Sequence, residues 1–298
     1  MSGRHLFTAP ARKAAIAPFL WMLLFFLLPF GFVLKISLSQ TVIAQPPYLP
    51  VFDPAQGMAA LKAAFAALSL ENFRLLASDH LYVMSYLRSV AVALISTAIL
   101  LAVGYPVAYG MSRLPARWQP IAMILVIVPF WTSFLIRVYA WINILQHDGI
   151  LNKTLLALHV VSAPIVWLST DTAMYIGIVY SYLPFMILPL YATLAKIDPA
   201  LLEASADLGG SRLTTFWLVT FPLSLPGVGA GALLCFIPIV GEFVIPDLLA
   251  GSNSPMIGQT VWLEFFTNRD WPVASALAVV LLVLLLAPLL VYERMQRR

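Results

Sequence analysis

Apolar runs close to the roughly 20 residues that a helix needs to cross a bilayer recur along the whole chain. That recurrence constrains the fold more than any other feature. In hydrocarbon a backbone has no water to bond, so its N–H and C=O groups must be satisfied internally. The composition agrees: 61% of the 298 residues are hydrophobic, 10% are charged, and mean hydropathy is +0.92. An ordinary soluble domain carries about a quarter charged residues. The chain reads as an all-α, polytopic membrane protein.

Six spans are expected, over 14–38, 84–111, 119–145, 171–194, 225–249 and 272–291. The first is too long for the apolar core of a cleavable leader, and no clear A-x-A site follows it. A long, more polar segment, 39–83, holds Pro46, Pro47, Pro50 and Pro54 and a helix candidate at 59–68. A shorter helix is expected at 152–159, and 251–271 is expected to be a loop. Span five is expected to be interrupted by Pro238, Gly241 and Pro246.

An even number of spans places both ends on one side, and charge selects the side. Arg4, Arg12, Lys13, Arg113, Arg117, Lys196, Arg212, Arg294, Arg297 and Arg298 fall at the termini and alternate loops. They outnumber Lys62, Arg74, Lys153 and Arg269 on the other side. The positive-inside rule therefore puts both termini and the 195–224 region in the cytoplasm. The same rule accounts for the net charge of +4 and the pI of 9.2 without nucleic acid. Cys235, the single cysteine, lies in an apolar run, so no disulfide within the chain and no cysteine metal cluster is expected.

The most sharply punctuated stretch is Asp198 to Pro222, between spans four and five. Asp198 is a good N-cap and Pro199 suits the first helical position, where a missing N–H costs nothing. Residues 199–208 read as a short helix, stopped by Gly209-Gly210 in a left-handed turn. Ser211 can cap a second helix running toward Phe221-Pro222. Such an elbow at a membrane surface offers Leu201, Leu202, Ala204 and Leu208 to a partner, with Glu203 for a basic group. An ordinary amphipathic interfacial helix is the plainer alternative.

Glu203-Ala204-Ser205, then Gly209 six residues after the glutamate, then Val219-Thr220-Phe221-Pro222, resembles the EAA loop of ABC-importer membrane subunits. Ser205, Val219 and Phe221 depart conservatively from the usual residues, and the spacing matches throughout. The segments 129–137 (PFWTSFLIR) and 241–246 (GEFVIP) are similar to those of polyamine (putrescine/spermidine) importer permeases of the PotB/PotH type. So are 70–73 (LENF) and 147–152 (HDGILN).

The resemblance implies a type I, MetI-like importer fold of six helices in a bacterial inner membrane. It divides the chain into an N-terminal part (1–83), a permease core (84–294) and a tail (295–298). It implies a coupling set of Leu201, Leu202, Glu203, Ala204, Asp207 and Gly209 docked on a homodimeric cytoplasmic ATPase. A second homologous permease and a periplasmic substrate-binding protein complete the implied complex. ATP and Mg would be bound by the ATPase, with no cofactor in this chain.

The chain itself carries no G-x-x-x-x-G-K-[ST] to cradle phosphates and no HExxH, Cys/His cluster or nucleophile elbow. A non-catalytic role follows, with hydrolysis supplied by another chain. Ionisable groups inside spans are costly and are functional candidates by default. Glu242 is the sharpest, and Asp247 lies about 140° further round an ideal helix. A cationic amine needs carboxylates in place of water and aromatic faces for its ammonium groups and methylenes. Trp131, Tyr139, Trp141, Tyr175, Tyr180 and Tyr182 are candidates for those faces.

Each of these has a plainer reading. Glu242 could make a structural hydrogen bond or pair with Arg137, Asp247 could face water, and the aromatics could be packing or interfacial anchors. Arg137 would repel a cation unless neutralised. Asp171, Glu264 and Asp270 read as solvated outer charges, or as contacts for the binding protein. Two other functions stay open, an importer for another substrate (thiamine, iron, an opine or amino acid) and an ion-driven secondary transporter using Glu242. A membrane scaffold that transports nothing fits the buried carboxylates and broken helices poorly.

Overall fold

The structure, a computed structural model, describes residues 9–51, 57–251 and 255–296, with side chains left out at 9–15, 57–61 and 295–296. Arg4, Pro54, Arg297 and Arg298 lie outside the described residues, as do the side chains of Arg12 and Lys13. Two compact units emerge, one from 1–80 with 261–283 and one from 81–260 with 284–298.

In the first unit, α1 (Ala9–Met22), a π-helical stretch (Leu23–Leu27) and α2 (Leu28–Ser37) form one long apolar rod. Phe19, Trp21, Phe25 and Phe26 are all exposed on it, as suits a helix wrapped in lipid. The 39–83 segment is partly ordered by a short antiparallel ribbon, β1 (Gln40–Thr41) with β2 (Tyr48–Leu49), paired Gln40 to Leu49 and Thr41 to Tyr48. Its helices are α3 (Gly57–Ala66) and α4 (Glu71–Ser78). Asn72 in α4 donates to the carbonyls of Ser37 and Ser39, each at 2.8 Å, which ties the segment to the end of α2.

The second unit is built on α5 (His80–Ser112) and on α9 (Asp171–Leu194) against α12 (Phe221–Val240), the most extensive helix pair. Small residues set the approach of that pair. A Cβ on Gly231 would fall 2.9 Å from Met186 Sδ, and one on Gly227 would fall 2.6 Å from Thr193 Oγ1. Close packing of this kind replaces the hydrophobic drive that lipid cannot supply.

Among the described residues five helices are long and apolar enough to span, and a sixth span results if one bent pair is counted as one. That pair replaces the single helix expected over 119–145 with two. α6 (Gln119–Ile127) tightens into a 3-10 turn (Val128–Trp131), and α7 (Phe134–Leu145) follows, with α8 (Ile150–Ala157) beyond it. The two halves, Gln119–Trp131 and Phe134–Ala157, are bent by 88°. Pro129 removes an N–H from the ladder, and Thr132 is extended with its hydroxyl on the Pro129 carbonyl at 2.8 Å.

Span five also differs from expectation. It starts at Arg212 rather than 225, as α11 (Arg212–Thr215), a π-helical stretch (Phe216–Thr220) and α12. Pro226 and Pro238 sit inside α12 without ending it, and the Tyr292 hydroxyl donates to the Pro226 carbonyl at 3.2 Å. The break comes at Gly241, before α13 (Val244–Leu249), where Pro246 occupies the first turn and interrupts nothing. The supposed loop 251–271 is mostly helical, with α14 (Ile257–Trp262) and a π-helical stretch (Leu263–Thr267) leading to α15 (Trp271–Gln296).

Candidate coupling elbow and substrate path

The elbow forms as its local chemistry dictates. The Asp198 carboxylate accepts the Ala200 N–H at 2.9 Å and opens α10 (Pro199–Asp207). Gly209 takes φ +82°, a conformation that a Cβ penalises. The Gly210 N–H returns to the Ser205 carbonyl and the Gly209 N–H to that of Ala206, both at 2.9 Å. This is a Schellman stop. Ser211 then caps α11, accepting the Thr214 N–H at 3.2 Å.

Gly210 was missed as a constrained position. A Cβ there would lie 2.7 Å from the Ser205 carbonyl oxygen and 2.8 Å from its hydroxyl. Ser205 Oγ in turn shares a hydrogen bond of 2.8 Å with Thr215 Oγ1. The serine that stands in the EAA position thus straps α10 to the helix entering the membrane. Leu201, Glu203, Ala204, Asp207, Leu208 and Gly209 are exposed, and Leu202 is half-buried.

The intramembrane candidates separate into distinct settings. Glu242 is buried, and one carboxylate oxygen accepts the N–H groups of Phe243, Val244 and Ile245 at 3.2, 3.0 and 3.4 Å. The other accepts the Tyr182 hydroxyl at 2.5 Å. The carboxylate therefore closes the open N-terminus of α13. Gly258 makes the same hinge possible, since a Cβ there would lie 2.4 Å from the Gly241 carbonyl oxygen.

Glu242 does not pair with Arg137. Phe130, Phe185 and Tyr182 link the two, with ring centroids 5.3 Å apart between Phe130 and Phe185 and 6.1 Å between Phe185 and Tyr182. Asp247 is exposed in the first turn of α13 and does not join Glu242. Trp131 and Tyr139 are exposed as well. Trp141, Tyr175 and Tyr180 converge with Ile99, Thr172, Ile176 and Val179 on a cavity of about 430 Å³, with Trp141 edge-on to Tyr180 at 5.4 Å.

Three acidic residues expected to be solvated have partners. Asp171 binds Arg88 at 2.6 Å, Glu264 is buried and accepts from Asn268 at 2.9 Å, and Asp270 accepts from Thr41 at 2.6 Å and the Val273 N–H at 3.0 Å. Asn152, also missed, is buried and makes four hydrogen bonds, to the carbonyls of His147 and Ile165 and from the Ile165 N–H and the Trp167 indole. It fixes the 147–167 segment. Among the described residues no group of three His, Cys, Asp or Glu could hold a metal.

A polytopic helical bundle with broken spans and an exposed polar elbow is the architecture of a membrane transport permease. The chain belongs to the family of binding-protein-dependent transport system inner membrane components, whose pattern matches residues 14–298. It is 43% identical over 230 residues to the spermidine/putrescine transport system permease protein PotB of Escherichia coli strain K12, covering 77% of this chain and 83% of that one.

Solved structures show the same fold. A bacterial ABC transporter involved in import of the acidic polysaccharide alginate has a chain that is 15% identical, with a TM-score of 0.66, covering 96% of this chain and 94% of its own. For the inward-facing MetNI methionine ABC transporter the values are 19%, 0.56, 73% and 95%. The fold is that of the MetI-like ABC-importer permeases.

Proposed function

We propose that this chain is the non-catalytic permease subunit of an ATP-driven importer of putrescine or spermidine. The observation that carries the reading is the exposed α10 helix, stopped by its double glycine and strapped to span five, in a chain of this family. The polyamine assignment is supported by the 43% identity to PotB. Under this reading both termini and the elbow are cytoplasmic. Residues 1–83, 84–294 and 295–298 are the N-terminal part, the permease core and the tail.

A homodimeric ATPase binds ATP and Mg and receives α10 in a groove, a second permease completes the path, and a periplasmic protein delivers substrate. When the ATPase closes, α10 moves with it. The Ser205–Thr215 bond and the continuous helix from Arg212 carry that motion toward Gly241. The Glu242 hinge lies at the far end of that helix.

Tyr175, Tyr180 and Trp141 offer faces for methylenes and ammonium groups, and the exposed Trp131 and Tyr139 are further candidate faces. Tyr182 and Glu242, bonded to each other apart from that cavity, are a second candidate group, and Asp247 offers an exposed carboxylate.

The docking claim is tested by co-purification of the assembled complex. Leu201→Asp combined with Leu208→Asp should lower recovered ATPase about tenfold while the partner permease stays bound. Recovery of the ATPase at the wild-type ratio would contradict it.

A further inference from the structure

The cavity of Trp141, Tyr175 and Tyr180 has aromatic walls and no carboxylate among its lining residues. It offers faces to the methylenes of an amine but no anion to its ammonium groups. The one acid of α9 is Asp171, in the first turn. Thr172 and Tyr175, one and four residues further on, line the cavity. Residues i and i+4 of a helix share a face, and Asp171 stands ~6 Å from Tyr175 along the helix axis. The Tyr175 hydroxyl lies within electrostatic reach of Asp171 and of Arg88.

Arg88, from α5, donates through Nη2 to Asp171 Oδ1 at 2.6 Å. Asp171 Oδ2 accepts no hydrogen bond among the described residues, and the side chain is 61% exposed. The Arg88 side chain is 20% exposed, and its Nε is buried without an acceptor among the described residues. Arginine stays protonated in proteins, so this guanidinium cannot leave Asp171 without stranding a charge. The carboxylate instead has a second oxygen to offer. A carboxylate already half-compensated, on an exposed rim, holds a cation weakly. That suits a group that must pass the cation on.

We propose that Asp171 is the ammonium site at the rim of this cavity: Oδ2 receives one ammonium group of the substrate, the methylenes lie along Tyr175, and Arg88 keeps Oδ1. This deepens the polyamine reading above and rests on it. Arg88 positions the carboxylate and weakens its hold on the cation. A mere staple between α5 and α9 would need the pair and nothing more.

The test reads equilibrium binding of labelled putrescine and spermidine to the complex of permeases and ATPase in nanodiscs, without the binding protein. Uptake by the same complex is read in proteoliposomes with the binding protein present. Asp171→Asn should weaken binding about tenfold or more, the loss of one charge-assisted bond. Arg88→Met should tighten it roughly threefold, since the carboxylate then faces the cation alone. Asp171→Glu and Arg88→Lys should stay within a factor of about two of wild type. Asp171→Asn and Arg88→Met break the same ion pair, so a purely structural pair shifts their affinities and their thermal midpoints alike. Opposite shifts in affinity support the proposal, and shifts in one direction, or none, overturn it.

If Arg88→Met does not assemble, Asp171→Asn against Asp171→Glu decides, and equal affinity for the two overturns the proposal. Amine binding that survives Asp171→Asn, while stimulation of ATP hydrolysis by the loaded binding protein is lost, overturns it in favour of a docking contact. Wild-type complex that takes up neither amine contradicts the function proposed above. Normal wild-type uptake with no measurable binding, or with binding that ignores both variants, contradicts this inference alone.

Discussion

Gly210 rests directly on Ser205: a Cβ on the glycine would sit 2.7 Å from the serine carbonyl oxygen, which accepts the glycine's own N–H at 2.9 Å. The neighbouring Gly209 has nothing within 4 Å of its Cβ position and is constrained only by its φ of +82°. Gly209→Ala should therefore cost about 1–2 kcal/mol of local backbone strain and leave the turn in shape. Gly210→Ala has to move backbone, which costs about 1–3 kcal/mol and disturbs the Ser205–Thr215 bond. Gly210→Ala should uncouple transport from ATP hydrolysis more severely than Gly209→Ala, as read from ATPase stimulation by the loaded binding protein.

Ser205→Ala removes the strap between α10 and α11 while leaving the helix and its stop intact. The bond is partly buried and neutral, so its net worth is about 0.5–1.5 kcal/mol. Basal ATP hydrolysis by the assembled complex should be unchanged, and substrate moved per ATP should fall. Thr215→Val should reproduce the effect, and the double variant should be no worse than either single one.

Tyr182→Phe and Glu242→Ala separate the two sides of the hinge. The tyrosine change removes one donor to a charged acceptor, worth about 1.5–3 kcal/mol. Glu242→Ala also strips the acceptor from three N–H groups at the start of α13, so its thermal midpoint should drop further. Equal midpoints for the two variants in a thermal-shift assay would show that the carboxylate does not hold α13.

Asn152→Leu leaves two carbonyls, one N–H and the Trp167 indole without their acceptor or donor. Each buried group left unsatisfied costs about 1–3 kcal/mol. Limited proteolysis of the purified chain should gain a cut between 158 and 167, which the wild type resists.

The elbow was legible in the sequence because every signal in it is local. Asp198, Pro199, Gly209 and Ser211 each act on backbone within three residues of themselves. The spans were legible because hydrocarbon thickness fixes their length and polarity. The break at Gly241 was legible too, but which prolines break a span was not, because a proline ends a helix only where nothing else satisfies the freed groups. Pro129 is followed by an extended Thr132 and breaks its span, whereas Pro226 and Pro238 stay inside α12.

The settings of Glu242, Glu264 and Arg137 were also out of reach. Tyr182 is 60 residues from Glu242, and three aromatic rings come between Glu242 and Arg137 only once the spans have packed. Gly258 and Gly210 carry no motif that marks their contacts. Only the packed structure shows which carbonyl a side chain at each would strike.

The central claim is that this chain forms part of a polyamine importer driven through its elbow. Its most direct test is uptake of labelled putrescine and spermidine into proteoliposomes holding the complete complex, with the binding protein outside and ATP inside. The account predicts ATP-dependent uptake of at least one of the two, competed by the unlabelled amine and abolished by Gly210→Ala in a complex that still hydrolyses ATP. Uptake of neither amine by an intact complex, or undiminished uptake with Gly210→Ala, would contradict it.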